Sequence, residues 1–115
     1  AIDLDDEEFE EGKMLTIFHK KRERNKKLVK MKKSTVLNIT GKLLCEICGF
    51  DFEAKYGELG KGYIECHHNK PISSLNENET IKLSDLSILC SNCHRMIHRI
   101  RPWKSVLEMK EIINL

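Results

Sequence analysis

The sequence predicts a small α+β fold that depends on a bound metal for its stability. Three observations predict it: two Cys-x-x-Cys pairs at Cys45/Cys48 and Cys90/Cys93, two short strand-like segments followed directly by a helix, and a thin supply of core residues. Of 115 residues, 40% are hydrophobic and 6% aromatic, against 33% charged. A domain of this size with so little to bury needs a staple.

The cysteines supply one. Zinc takes four thiolates at tetrahedral corners, and a Cys-x-x-Cys turn offers two of them from one tight loop. A single pair would be weak evidence, since a redox dithiol has the same spacing; two pairs close one shell. Four thiolates leave no open position, so the expected Zn2+ is structural, contributing of order 10 kcal/mol to folding. Cys66 is left over and reads as a strand residue packing as a small hydrophobe. No apolar run approaches the roughly 18 residues of a membrane span, and no basic-then-apolar leader is present. The expectation is a cytoplasmic setting, where paired cysteines mean metal more often than disulfide. The chain opens Ala1-Ile2-Asp3 with no initiator Met, so it is expected to be processed or cut from something longer.

The net charge of +2 conceals an asymmetry. Residues 1–12 carry seven acids and no base, residues 13–33 carry ten Lys/Arg and one Glu, and from 34 onward ten balance ten. The basic stretch has almost no breakers, and Met14, Ile17, Phe18, Lys21, Leu28 and Met31 sit near helical spacing. This predicts a long basic helix whose apolar stripe docks on the rest. Its cations, Lys20, Lys21, Arg24 and Lys27 among them, form either a solvated face or a phosphate-tracking surface. Gly41 is the expected stop. The domain division is therefore an acidic-then-basic helical arm over 1–40 and a metal-stapled domain over 41–115.

Within that domain the pieces are short. A Cys-containing turn (45–50) leads to a Gly-broken loop (57–62), a strand (about 62–67), a polar loop (69–80), a strand (86–89) and a helix (91–100). After Pro102 comes an amphipathic helix carrying Val106, Leu107, Met109, Ile112 and Ile113. Asn92 reads as a cap for the helix beside it. No internal repeat or low-complexity segment occurs.

The histidines add chemistry. His94 and His98, four apart on the 91–100 helix, share one face, with Cys93, Met96, Ile97 and Ile100 on the other. His67 and His68 end the first strand. Strand neighbours point to opposite sides, so the strand must stop here, broken by Pro71, if both imidazoles are to share a site. Four of the five histidines then converge. Any one alone would more often be structural; two adjacent pairs at these spacings argue for a site.

The stretch from Cys45 to His98 resembles the HNH endonucleases. Their pattern is a strand ending in Asp/His-His-x-x-Pro, an Asn-Leu strand, and a helix carrying Cys-His-x-x-x-His. Here it reads His67-His68-Asn69-Lys70-Pro71, Asp85-Leu86, and Cys93-His94-Arg95-Met96-Ile97-His98. The flanking RERN and CGFDF…YGELGKGYIE extend the likeness to the HNH modules of modification-dependent (methylated-DNA) restriction endonucleases, which sit C-terminal to a modified-base reader. The resemblance implies a ββα-metal fold and a metal-dependent DNA endonuclease that hydrolyses phosphodiester bonds in restriction or defence. It implies His68 as general base, His67 and His94 as metal ligands, and His98 as a third ligand or phosphate contact. A divalent cation such as Mg2+ or Mn2+ is implied at that site. Arg95, Arg99 and Arg101 would follow the helix and hold neighbouring phosphates. The implied partners are DNA, with methylated double-stranded DNA as one form, and an N-terminal reader domain; a second copy of the chain is a further expected partner.

Two positions depart from the pattern. Asp85 replaces its middle Asn, and a carboxylate there would fix the loop carrying His68 by accepting a hydrogen bond. Asn69 stands where an apolar residue is usual. The competing readings are a non-catalytic zinc module binding nucleic acid or protein, and a structural zinc domain assembling through its C-terminal helix. Intact His68, His94 and His98 argue against the former, because a binder has no need of a base beside a second metal site.

Overall fold

The computed structural model describes residues 13–70 and 81–114, with side chains from residue 26 onward. The elements are α1 (Lys13–Thr40), α2 (Phe52–Tyr56), β1 (Glu65–His68), β2 (Leu86–Leu89), α3 (Ser91–Arg99) and α4 (Val106–Ile113). The fold is α+β, with β1 and β2 as a two-stranded antiparallel sheet followed by α3. The acidic start, most of the polar loop with Pro71, and the side chains of Met14, Ile17, Phe18, Lys20, Lys21 and Arg24 lie outside the described residues. No helix among the described residues is long and apolar enough to cross a membrane.

Helix α1 ends where a glycine permits it. Gly41 adopts φ +76° and returns its N–H to Leu37 O at 2.8 Å, a left-handed stop. Of the expected stripe, Leu28 is half-buried and Met31 is exposed. Val29 and Val36 pack on Leu43, Ile64, Cys66 and Ile88, and Lys33 Nζ donates to Gly62 O at 3.2 Å. Positions 29, 33 and 36 share a face at i, i+4, i+7, whereas Met31 lies about 200° around the helix from Val29 and is exposed.

The first cysteine turn is closed by Cys45 N–H to Phe50 O and Gly49 N–H to Cys45 O, with a bridge between Leu44 and Asp51. Asp51 then caps α2, its carboxylate accepting from Glu53 N and Ala54 N. A Cβ at Gly60 would lie 2.1 Å from Phe52 O, so only glycine lets the following turn close on α2.

In the sheet, Glu65 pairs with Leu89, Cys66 with Ile88, His67 with Ser87 and His68 with Leu86. The cysteine turn covers the outer edge of β2. Glu46 N–H donates to Ile88 O, and Glu46 Oε2 accepts from Ile88 N at 2.6 Å, satisfying an edge that would otherwise be open. On one side of the sheet Cys66 packs among Leu43, Ile64 and Ile88 as a small hydrophobe. The other core joins the cysteines to Ile47, Leu89, Ile97 and Met109, with Phe50, Phe52, Ile100 and Val106 packed against it. Met96, expected on that buried face, is exposed instead. The cap of α3 is Cys90, whose sulfur accepts from Cys93 N, and not Asn92, which is exposed. Helix α4 opens on a reciprocal cap: Ser105 Oγ accepts from Glu108 N, and Glu108 Oε1 from Ser105 N. It buries Met109 and leaves Leu107, Ile112 and Ile113 exposed.

Candidate metal centre

Two clusters of ligand atoms flank α3. In the first, the sulfurs of Cys45, Cys48, Cys90 and Cys93 all lie within 4.8 Å of one another. Cys48 Sγ and Cys90 Sγ are 3.6 Å apart, against a tetrahedral edge of about 3.8 Å for zinc–sulfur bonds of about 2.3 Å. Backbone N–H groups turn toward the sulfurs: Ile47 and Cys48 donate to Cys45 Sγ, and Cys93 donates to Cys90 Sγ. Burial and neighbouring sulfurs push the Cys90 and Cys93 thiols up. At Cys45 burial also pushes up, but the N–H donors around its sulfur outweigh it and hold the thiol down. A dication at the centre stabilises all four as thiolates. These residues fit a structural zinc ion.

The second cluster is built from β1 and α3. Ligand nitrogens of His67, His94 and His98 lie within 4.8 Å of one another. His94 Nε2 and His98 Nε2 are 3.1 Å apart, close to the edge of about 3.3 Å for a tetrahedral site with metal–nitrogen bonds of about 2.0–2.1 Å. His67 is 2% exposed, and its Nδ1 is buried with no hydrogen-bond partner among the described residues. Three imidazoles so placed, one of them with a buried ring nitrogen that has no partner among the described residues, are a donor set that suits a transition-metal dication.

Glu65, which sequence reasoning missed, organises this cluster. Its Oε1 lies 2.7 Å from His94 Nδ1, while Oε2 accepts from Ser91 Oγ at 2.7 Å and Tyr63 OH at 2.8 Å. Burial opposes its charge, but hydrogen bonds from His94, Ser91 and Tyr63 prevail and lower its pKa to about 2. A carboxylate cannot donate, so His94 carries its proton on Nδ1 and offers the Nε2 lone pair to the cluster. Burial, reinforced by charge on His94 and His98, lowers His67 to about 3, and burial lowers His94 as well despite Glu65. Near neutral pH these rings are uncharged, the state in which imidazole binds metal. Trp103 is a second residue that sequence reasoning missed. Its indole stacks on His67 with centroids 5.6 Å apart and planes 23° apart, and meets His98 edge-on at 5.8 Å.

The expected convergence of four histidines holds for three. Strand β1 runs through His68 and does not stop before it. Alternation along the strand therefore sends Glu65 and His67 toward α3, and Cys66 and His68 to the opposite face. His68 is buried with Nε2 unpartnered among the described residues. Burial and the nearby His94 lower it to about 4, against the opposing charge of Asp85. Asp85 holds the loop in two ways: its Oδ2 accepts the Lys82 N–H, closing a 3-10 turn, and its backbone oxygen accepts the Asn69 N–H. The hydrogen bond expected of the Asp85 carboxylate is thus accepted from the Lys82 backbone within that turn. Asn69 Oδ1 in turn accepts from Ser87 Oγ at 2.9 Å, which accounts for a polar residue there.

Of the expected phosphate contacts, Arg95 and Arg99 are exposed on α3, and Lys27 is exposed on α1. Arg101 turns back, its Nη1 donating to His98 O and Ile100 O, and closes the end of α3. Lys20, Lys21 and Arg24 have side chains outside the described residues.

Two short strands and a helix gather three imidazoles beside a four-cysteine cluster in a small α+β module whose side chains could hold metal at both places. Residues 45–99 match the HNH endonuclease family. The chain is also 36% identical, over 66 residues, to the type IV methyl-directed restriction enzyme EcoKMcrA of Escherichia coli (strain K12). That alignment covers 57% of this chain and 22% of the relative, so the chain spans about a fifth of that protein's length. No solved structure matches the chain.

Proposed function

We propose that this chain is the cleavage domain of a metal-dependent DNA endonuclease that serves in restriction or defence. The observation that carries the reading is the three-imidazole cluster of His67, His94 and His98, held apart from the cysteine cluster within an HNH segment. A binding module needs the cysteines alone. The division of labour follows the chemistry of each group. Cys45, Cys48, Cys90 and Cys93 would hold structural zinc. His67, His94 and His98 would hold a divalent ion, which supplies positive charge to the scissile phosphate and the leaving oxygen. Imidazole-only donors suit Mn2+ and its heavier neighbours better than Mg2+, which prefers oxygen. Glu65 fixes the tautomer of His94. By resemblance to the family, His68, whose Nε2 is buried and unpartnered among the described residues, takes the role of general base toward the attacking water. That role requires its ring to reach the water, although strand alternation directs it away from the three-histidine cluster. Arg95 and Arg99, exposed on the same helix, hold neighbouring phosphates.

The likeness to a methyl-directed restriction enzyme points to methylated double-stranded DNA as substrate. From the charge asymmetry and the Gly41 stop we assign residues 1–40 to an arm and 41–115 to the nuclease, and we propose a reader domain and a second copy of the chain as partners.

The test is cleavage of methylated and unmethylated plasmid by zinc-loaded domain, with Mn2+, Mg2+ or neither. Nicking that requires the added ion is expected. His68→Ala should lower the rate by about 10²–10⁴-fold, the usual contribution of a general base, with zinc content and DNA affinity retained. A base works only when unprotonated, so the rate should hold as pH falls from 7 and drop on approach to the His68 value of about 4. A folded, zinc-loaded domain that binds DNA yet fails to cut it with either Mn2+ or Mg2+ would leave only the binding-module reading.

A further inference from the structure

We infer that Trp103 is a positioning residue for the three-histidine centre, its indole fixing the imidazole of His67 in the orientation that faces His94 and His98; this rests on the metal-dependent reading above. The three rings are held by different means. His94 is anchored by Glu65 at 2.7 Å. His98 is one helical turn away and faces it at 3.1 Å. His67 comes from the strand, and its Nδ1 has no hydrogen-bond partner among the described residues. What its ring does have is an aromatic surface. The indole lies over it at 5.6 Å and 23°, inside the range of offset stacking.

Ordinary packing accounts poorly for this placement. Trp103 is the chain's one tryptophan, yet it belongs to neither hydrophobic core cluster of the described residues. It sits in the connection between α3 and α4, 38% exposed. Its aromatic neighbours, His67 and His98, are both candidate ligands. A large rigid ring spent on two ligands, and not on the core, acts on the centre. It restricts rotation of the His67 side chain and keeps solvent from one flank of the cluster. The effect is on the ease with which three nitrogens meet one ion.

The lone indole also provides the readout. Zinc-loaded protein is titrated with Ni2+, an imidazole-preferring ion, while Trp103 emission and calorimetric heat are followed. Saturable quenching near one added equivalent is expected in the wild type and should vanish in His98→Ala. Trp103→Ala should weaken Ni2+ binding by about 3- to 10-fold, comparable to ordering one free side chain. Trp103→Phe keeps a stacking ring and should recover most of that loss, whereas Trp103→Leu keeps bulk without a ring and should not. Zinc content and thermal melts identify any variant that fails to fold, and the Phe–Leu contrast then decides the matter. Equal Ni2+ affinity in Trp103→Leu and wild type would overturn the role of the indole while leaving the metal centre standing. Absence of any Ni2+ binding by the wild type would overturn both.

Discussion

An imidazole that binds a metal must present one lone pair and keep its proton on the opposite nitrogen. At His94 that choice is imposed by Glu65, whose other oxygen is saturated by Ser91 and Tyr63. Because the carboxylate is held ionised far below neutral pH, it polarises the ring without competing for its proton. Glu65→Gln keeps the size of the side chain and removes the charge. Its expected result is a second-site metal affinity lower by about 10-fold, toward the small end of what such outer partners usually contribute. The cysteine-bound zinc should be unaffected, and calorimetry against elemental analysis separates the two sites. An unchanged second-site affinity would make Glu65 a structural residue only. The three candidate ligands are legible in the sequence because helical i, i+4 spacing and an adjacent histidine pair are local signals. Glu65 is not, although its place two residues before His67 puts both on one strand face. The donors that give it a role, Ser91 and His94, arrive from a different element. His68 departs from expectation for a related reason: a shared site for both strand histidines needs the strand to stop, and the pleat forbids it while the strand continues.

Helix α3 is the element on which both clusters depend. Cys90 caps it, Cys93 points from its first turn into the cysteine cluster, and His94 and His98 leave from another side toward β1. A zinc ion held by these cysteines would therefore set the position of the imidazoles, since moving the first turn of α3 moves His94 with it. Cys90→Ser removes a thiolate ligand and the helix cap together. We expect loss of zinc, loss of a cooperative thermal melt, and loss of second-site metal binding in the same variant, because the metal contributes of order 10 kcal/mol to a small core. A zinc-free Cys90→Ser domain that melts like wild type would show that the core suffices without its staple. The spans of β2 and α3 can be read from sequence, for turn residues and a change of period bound them. Helix α2 cannot: five residues carry no period, and its formation rests on the Asp51 cap and the close approach of Gly60. Met96 and Met31 escape burial for one reason. Apolar residues at helical spacing mark a stripe, but which edge of it meets the sheet is decided by the partner, through Ile97 in α3 and through Val29 and Val36 in α1.

At the scale of the whole chain, charge is segregated along the sequence, and the structure gives that segregation a mechanical base. The C-terminal half of α1 is part of the core through Val29, Val36 and Lys33. Its N-terminal half carries a run of cations with few acids among them. A helix anchored at one end and basic at the other holds its charge in a fixed relation to β1 and α3. Phosphates engaged by α1 would then belong to the same duplex that lies at the imidazoles. Truncating the arm is a poor test, because a cut near residue 33 also removes Val29 from the core. Alanine at Lys20, Lys21, Arg24 and Lys27 together is better, since alanine favours helix at least as strongly as the residues it replaces. For every phosphate no longer neutralised by a cation, the slope of log affinity against log salt should become shallower by about 0.9. The quadruple variant is thus expected to bind DNA more weakly at low salt and to approach wild type as salt rises, with its melt and zinc content unchanged. DNA affinity measured across a salt series decides it. If the slope stays at the wild-type value while the helix remains intact by circular dichroism, the basic half of α1 is a solvated face. The phosphate contacts would then fall to Arg95 and Arg99 on α3.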